Sequence, residues 1–382
     1  MEHTIEITAL ANGGDGIGRV EGMVCFVACG LPGDTLRVRV TRTAKNALWA
    51  EAVEVLSPSP DRIAADCPMF GKCGGCAWLH FAYPSQAAWK QRIVRDCLER
   101  IAGIGADVEW VEDPALRLGY RTRAEFHGDG RKLGFFTARS HDIVNVEQCP
   151  LCHPRLNAVL PTLHDAGIKG AVTVTVNPEG DDVLVWTNFP KRSLKDRFPQ
   201  ANTPAERTAR AQFFFDGVPI VNGGFSQASL LLNRLLVRIT HEMIGQGDSL
   251  LDLYCGSGNL SLGLASRMRV LGLDHHHESA KAAARLGTGR YEAGTEEAMI
   301  KQVASDDWDL ILLDPPREGA KAIMPALSAC QARAIVYVSC DPATLARDLK
   351  TLAAAGWKPV RTAVLDLFPN TPHMETVCRL ER

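Results

Sequence analysis

A chain of 382 residues with 46% hydrophobic and 23% charged residues has the make-up of a soluble protein with room for two or three cored domains. Its start, MEHTIEITAL, lacks the basic stretch and apolar run of a signal peptide, and no segment reaches the ~18 apolar residues of a membrane span. A cytoplasmic protein without membrane contact is therefore expected, and the net charge of −2 gives no overall sign of a nucleic-acid partner.

Residues 4 to 56 alternate short apolar runs with glycine-rich turns, as in TIEITAL, GMVCFVA, TLRVRVTR and ALWAEAVEVL. About five short strands in so few residues predict a small OB-type barrel over 1–57, a shape that often grips RNA. No helical pattern follows Gly13-Gly14-Asp15-Gly16-Ile17-Gly18, so this run reads as a barrel turn. LSPSPDR, residues 56 to 62, reads as a linker because of its two prolines.

The central segment, 58–215, is mixed α+β. Cys67, Cys73 and Cys76 are spaced C-x5-C-x2-C, with Gly71, Gly74 and Gly75 to bend the chain into a chelating loop. A fourth thiolate is expected from Cys149 or Cys152 in EQCPLC, and four sulfurs suit zinc or an iron–sulfur cluster alike. Pro84 and Ser85 open a helix expected to run to about residue 103. Its stripe is Trp89, Ile93, Cys97 and Ile101, with Cys97 a core residue rather than a ligand. AVTVTV and DVLVWTNF read as strands. Two basic stretches could follow a phosphate backbone. One holds Arg117, Arg121, Arg123, Arg131, Lys132 and Arg139. The other holds Lys191, Arg192, Lys195, Arg197, Arg207 and Arg210.

From residue 216 the runs SLLDLY, RVLGLD, DLILLD and AIVYVSC are apolar throughout, as strands buried on both faces of a parallel sheet read. This predicts a doubly wound α/β domain over 216–382, with ligands at the carboxyl ends of the strands. Gly256 and Gly258 are expected between a strand and a helix, with Asp274 ending the next strand to hold ribose hydroxyls. The third glycine of a dinucleotide loop is missing, which favours S-adenosylmethionine over a pyrophosphate cofactor. Cys340 falls at another strand end, Asp314 ends a neighbouring strand before Pro315 and Pro316, and Glu375 lies in FPNTPHMETV. A thiolate with carboxylates beside it suits methylation at carbon 5 of a uridine. Addition of sulfur to carbon 6 makes carbon 5 nucleophilic, and a base must later remove the carbon-5 proton.

The barrel with GGDGIGR, the C-x5-C-x2-C loop, LGYRTRAEF, QCP, FSQ, LDLYCGSGN, LDPPR, VSCDPATLARD and FPNTPHME together resemble the RNA uridine-5-methyltransferase family. The likeness is closest to the branch that acts on 23S ribosomal RNA and carries a TRAM domain and a [4Fe-4S] cluster. It implies a class I methyltransferase domain behind a TRAM barrel and an iron–sulfur central domain. It further implies cluster ligands Cys67, Cys73, Cys76 and Cys149, nucleophile Cys340 and base Glu375. Gln227, Tyr254, Asn259, Asp274 and Asp314 would contact S-adenosylmethionine. Three positions depart from the family pattern: Ser229 and Asp341 stand where Asn is usual, and an adenine-side Asn is replaced around Gly294 or Thr295. The expected partner is RNA, with no obligate protein partner evident. The alternatives are the same chemistry on transfer RNA and an inactive RNA-binding protein. Cytosine-5 methylation is less expected, because Arg317 stands where a cysteine would follow Pro316, and a dehydrogenase leaves the cysteines unexplained.

Overall fold

The computed structural model describes residues 2–188, 192–204, 210–305 and 307–382. The N-terminal part is a six-stranded sheet in the order Glu2–Glu6, Thr35–Ala44, Ala47–Ser57, Met23–Val27, Gly16–Val20, Ala9–Leu10. Alternation builds its core: Leu36 and Val38 point in while Arg37 and Arg39 point out, and Ile7, Cys25, Val27 and Ala50 close on them. The prolines at 58 and 60 do not mark a loose tether. Asp34 is fully buried and accepts from the backbone N–H of Leu31 (2.7 Å) and Ser59 (2.8 Å) and from Arg62 Nε (3.0 Å). The segment 56–62 is thereby fastened to the barrel.

In the middle of the chain, five strands run in the order Ile143–Asn145, Leu133–Phe136, Arg123–Asp129, Lys169–Val176, Val183–Thr187. The helix Pro154–Asp165 lays Leu156, Val159, Leu160 and Leu163 on Val172, Val174 and Val176. His153 caps this helix and Pro154 opens it, where a missing N–H costs nothing.

The C-terminal layer is an eight-stranded sheet, ordered Arg290–Ala293, Arg269–Asp274, Ser249–Leu253, Leu310–Leu313, Ala334–Ser339, Glu375–Glu381, Lys358–Leu365, Glu109–Val111. The first five strands are parallel, as expected. Glu375–Glu381 runs antiparallel to both neighbours, a reversal that the sequence reading lacked. A second difference is the strand Glu109–Val111, which joins the sheet beside Lys358–Leu365 although it lies in the segment assigned to the central domain. The helix Tyr83–Cys97 belongs to this layer too. It buries Ile93 and Val94 against the sheet, passes into a π-helical turn, Leu98–Ala102, and ends at Gly103 with φ +70°. A third difference follows the glycine loop, where a short 3-10 turn, Leu262–Leu264, replaces the expected helix. Ser257, Asn259, Ser261 and Gly263 all favour turns over helix, and the Ser261 hydroxyl is committed to Asp252.

Candidate active site and cysteine cavity

Strand register assembles the site. Leu253 pairs with Leu313, Leu313 with Tyr337, and Ser339 with Thr376. Tyr254, Asp314 and Cys340 therefore leave three neighbouring strands at one edge of the sheet, and the antiparallel strand starts there with Glu375. The loop before Glu375 is anchored from the helix Tyr83–Cys97. Lys90 and Asp366, 0% and 1% exposed, form an ion pair at 2.7 Å, and Lys90 Nζ also donates to the Phe368 carbonyl at 3.1 Å. Gln86 exchanges two hydrogen bonds with Asn370, which sits at φ +65°.

Cys340 is half-buried, and its thiol is pushed up to about 12 by burial, then by the carboxylates of Glu375 and Asp314. Arg317 opposes this and Asp341 adds to it. Glu375 is 4% exposed, its Oε2 has no hydrogen-bond partner, and burial followed by Asp314 pushes its carboxyl well above the usual range. Burial, then Asp274, lifts Asp314 to about 7. Two carboxyl groups in so dry a place cannot both carry a charge cheaply. Asp341 has a structural task beside the thiol: it caps the helix Pro342–Ala354, its Oδ1 accepting from Ala343 N (2.9 Å) and Thr344 N (3.0 Å). Ser229 likewise caps Leu230–Ile244, accepting from Leu232 N at 3.1 Å, so these two of the three departures from the family pattern hold helix starts.

A cleft of about 540 Å³ brings together Gln227, Tyr254, Asn259 and Asp314, and Asp274 closes its glycine loop. Asp274 accepts from Gly256 N (2.8 Å) and His276 N (2.6 Å). Tyr254, at φ +61°, donates its hydroxyl to Glu296 at 2.8 Å, and Asn259 exchanges amide hydrogen bonds with Asn233. The sequence reading missed Asn233 and Asp252. Asp252 is buried and pushed up to about 8 by burial, against a 2.5 Å hydrogen bond from Ser261. A lone Asp in the apolar run SLLDLY was the available signal. Phe225, 69% exposed, also stands on the cleft. Cys340 opens into a separate cavity of about 280 Å³, which it shares with Arg317, His373 and, from the barrel, Asn12. No sequence pattern pointed to Asn12.

Cys67, Cys73, Cys76 and Cys149 line one further, small cavity. Among the described residues, no three His, Cys, Asp or Glu side chains converge tightly enough to hold a single metal ion. Cys76 is pushed up to about 12 by burial, then by Cys149, Cys73 and Cys67. Cys152 is buried in the central core and donates to Cys149, which that hydrogen bond draws down to about 6. Arg121 lines this cavity with Nε 3.5 Å from the Tyr120 hydroxyl, and Arg123 reaches Thr175 Oγ1 at 3.2 Å. Arg117 stacks on Tyr83. The first basic stretch thus divides between interior contacts and the exposed Arg131, Lys132 and Arg139, rather than forming one open stripe. In the second, Arg210 lies over Trp186 and meets His276 at 2.8 Å, whereas Lys191 and Arg207 lie outside the described residues. Among the described residues no helix is long and apolar enough to cross a membrane.

Comparison with known proteins agrees with this architecture. The TRAM domain model matches residues 2–53, and the tRNA (Uracil-5-)-methyltransferase model matches residues 296–382. A 23S rRNA (uracil(1939)-C(5))-methyltransferase of Cronobacter sakazakii is 33% identical over 431 residues, spanning 99% of this chain and 96% of that protein. An uncharacterized RNA methyltransferase of Gloeobacter violaceus is 34% identical over 448 residues, with 99% and 96% covered. The crystal structure of Pyrococcus abyssi tRNA (uracil-54, C5)-methyltransferase, solved with S-adenosyl-L-homocysteine, superposes over the whole of both chains with a TM-score of 0.75 at 24% identity, a likeness of fold. A relative one-third identical from end to end, joined to a thiol and two carboxylates at one sheet edge, places this chain in the family of RNA (uracil-C5)-methyltransferases.

Proposed function

We propose that the chain methylates carbon 5 of a uridine in 23S ribosomal RNA, with S-adenosylmethionine as methyl donor, Cys340 as nucleophile and Glu375 as base. The observation that carries this reading is the convergence of Cys340, Asp314 and Glu375 at the ends of three neighbouring strands, with Asp314 on the cofactor cleft and Cys340 on a cavity of its own. The Cys340 sulfur forms a bond to carbon 6 of the flipped uridine, and the displaced ring electrons move to the carbonyl oxygen at carbon 4. Carbon 5 then takes the methyl group, for which bound S-adenosylmethionine supplies an electrophilic carbon and a neutral thioether leaving group. Glu375 accepts the carbon-5 proton, the 5,6 double bond re-forms, and the carbon–sulfur bond breaks to release the Cys340 thiolate. Burial that raises the Glu375 carboxyl makes its ionised form the stronger base for that step. Gln227, Tyr254, Asn259, Asp274 and Asp314 hold the donor, with Asp314 also beside the base. Phe225 offers an exposed face for stacking.

The three parts divide the work. The barrel (1–57) and central domain (58–215) hold RNA, and the catalytic domain (216–382) does the chemistry, joined by the helix Tyr83–Cys97 and the strand Glu109–Val111. Cys67, Cys73, Cys76 and Cys149 hold a [4Fe-4S] cluster. What supports this is that the four thiols line one cavity, and the cluster's contribution would be to staple two distant loops.

The test separates the two ends of the reaction. Cys340→Ala should yield neither product nor covalent complex. Glu375→Gln should add and methylate but stall at elimination, leaving protein on RNA in a denaturing gel. Wild-type methylation by Cys340→Ala would end the assignment. Mass mapping of 5-methyluridine in a deletion strain should show the loss in 23S rRNA, and a loss in transfer RNA alone would move the substrate there.

A further inference from the structure

We propose that the barrel turn Ala11–Asp15 is a wall of the nucleophile's cavity, and that Asn12 is a positioning residue that holds the outer oxygen of the Asp341 carboxylate away from the Cys340 sulfur. The inference rests on Cys340 being the nucleophile and adds a partner from another domain.

The turn is pressed into place. Gly14 has φ +87°, and a Cβ there would lie 2.6 Å from Pro372 Cβ, so only glycine lets the barrel sit this close to the loop that leads to Glu375. The Gly14 carbonyl accepts from Trp78 Nε1 at 3.1 Å, and Asp15 pairs with Arg139 at 2.5 Å. Held so, Asn12 and Gly13 face Cys340, Asp341 and His373 across one cavity. Asn12 Nδ2 donates to Asp341 Oδ2 at 3.4 Å, while Oδ1 is occupied by the two helix amides.

The position of that oxygen matters because the thiol is already disfavoured as an anion. The groups that act on Cys340 are Glu375 from the antiparallel strand, Asp314 and Arg317 from the adjacent loop, and Asp341 next in sequence. His373, held below its ordinary value by burial and then by Arg317, adds no charge near neutrality. Asp341 also acts on Cys97 of the helix Tyr83–Cys97, a thiol pushed up to about 11 by burial and then by this carboxylate. Asp341 is thus a charge at the junction of three elements. With one oxygen on the helix N-terminus and the other on Asn12, both of its oxygens are engaged by donors and its charge is shared with them. Freed from Asn12, the carboxylate can turn on its helix cap toward the thiol, and each unit by which the thiol rises leaves tenfold less thiolate. An uncharged Asn at 341 would not need this restraint.

The experiment measures the rate of covalent-complex formation with 5-fluorouridine RNA from pH 6 to 9. Asn12→Ala should move the rate profile about one unit to higher pH, about tenfold slower at neutrality, with affinity for unmodified RNA within about twofold of wild type. Asp341→Asn keeps the helix cap, and in that background Asn12→Ala should change nothing. Should Asn12→Ala loosen the barrel, Asn12→Asp preserves the shape, replaces the donor with a second acceptor, and should shift the profile at least as far. An unmoved profile overturns the proposal. So does an equal shift in both backgrounds, or a loss of RNA affinity alone, which would make Asn12 a plain RNA contact. A wild type that forms no complex, or a Cys340→Ala variant that does, would instead sink the nucleophile assignment.

Discussion

Cys340 is a poor acid in the free protein, since burial and the carboxylates of Glu375, Asp314 and Asp341 outweigh Arg317 and lift its thiol to about 12. Below that value the thiolate fraction grows tenfold per pH unit, so the first-order rate of adduct formation at saturating 5-fluorouridine RNA should climb with a slope near one between pH 6 and 9. A flat profile would mean that bound RNA ionises the thiol fully. The residues of this centre were legible because each one ends a strand or stands in a motif: Cys340 after AIVYVS, Asp314 after LILL, Asp274 after RVLGL, and Glu375 in FPNTPHME. What stayed hidden is what holds them. Asn12 and Asp341 are 329 positions apart, and Lys90 and Asp366 are 276 apart, and neither pair leaves a local pattern. The cost of Asp341 beside the Cys340 thiol becomes intelligible only when its two oxygens are seen on the helix amides and on Asn12.

At the level of elements, the tie between the barrel and segment 56–62 concentrates on one carboxylate. Burial raises the Asp34 carboxyl, but Arg62 and the N–H groups of Ser59 and Leu31 together outweigh it and leave the group below its ordinary value. Asp34→Ala strands two backbone donors, leaves Arg62 with the Cys29 carbonyl at 3.0 Å, and should destabilise the folded chain by about 3 kcal/mol in urea denaturation. A loss under about 0.5 kcal/mol would show the tie to be incidental. Because the folded carboxyl is depressed, its stabilisation is present above the unfolded value near 3.9 and is lost as pH falls through the lower folded value. The barrel strands were readable from their period of two, and the parallel strands from their unbroken apolar runs. The direction of Glu375–Glu381 was not, because a strand buried on both faces has the same composition either way up. Glu109–Val111 is three residues long, too short for any periodicity, and its membership in the sheet is decided by pairing with Ala363–Leu365.

Across the whole molecule, the cysteine cavity and the loop that leads to Glu375 share their supports. Two residues after Cys76, the Trp78 N–H donates to the Asn370 carbonyl at 3.1 Å and its indole to Gly14. Tyr120, one residue before Arg121 on the cavity wall, donates its hydroxyl to the Pro369 carbonyl at 3.1 Å. The Asn370 side chain in turn donates to the Arg117 carbonyl at 2.8 Å. Segment 366–374 therefore hangs from residues that the four cysteines would fix on both sides, through the loop of Cys67, Cys73 and Cys76 and through Cys149. Protein purified without oxygen should be brown and carry about four irons per chain, whereas stoichiometric zinc without iron would end the cluster assignment. Chelating that iron without oxygen removes a ligand bound by the folded state alone, so the melting temperature should fall. Local opening should follow the chain of hydrogen bonds: amide exchange should quicken at least tenfold in 67–78 and in 366–374, while the Gly256 loop stays protected. If exchange rose around the cysteines and left 366–374 unchanged, the cluster would staple the central domain alone, and the alignment of Glu375 would depend on Lys90 and Gln86 without it.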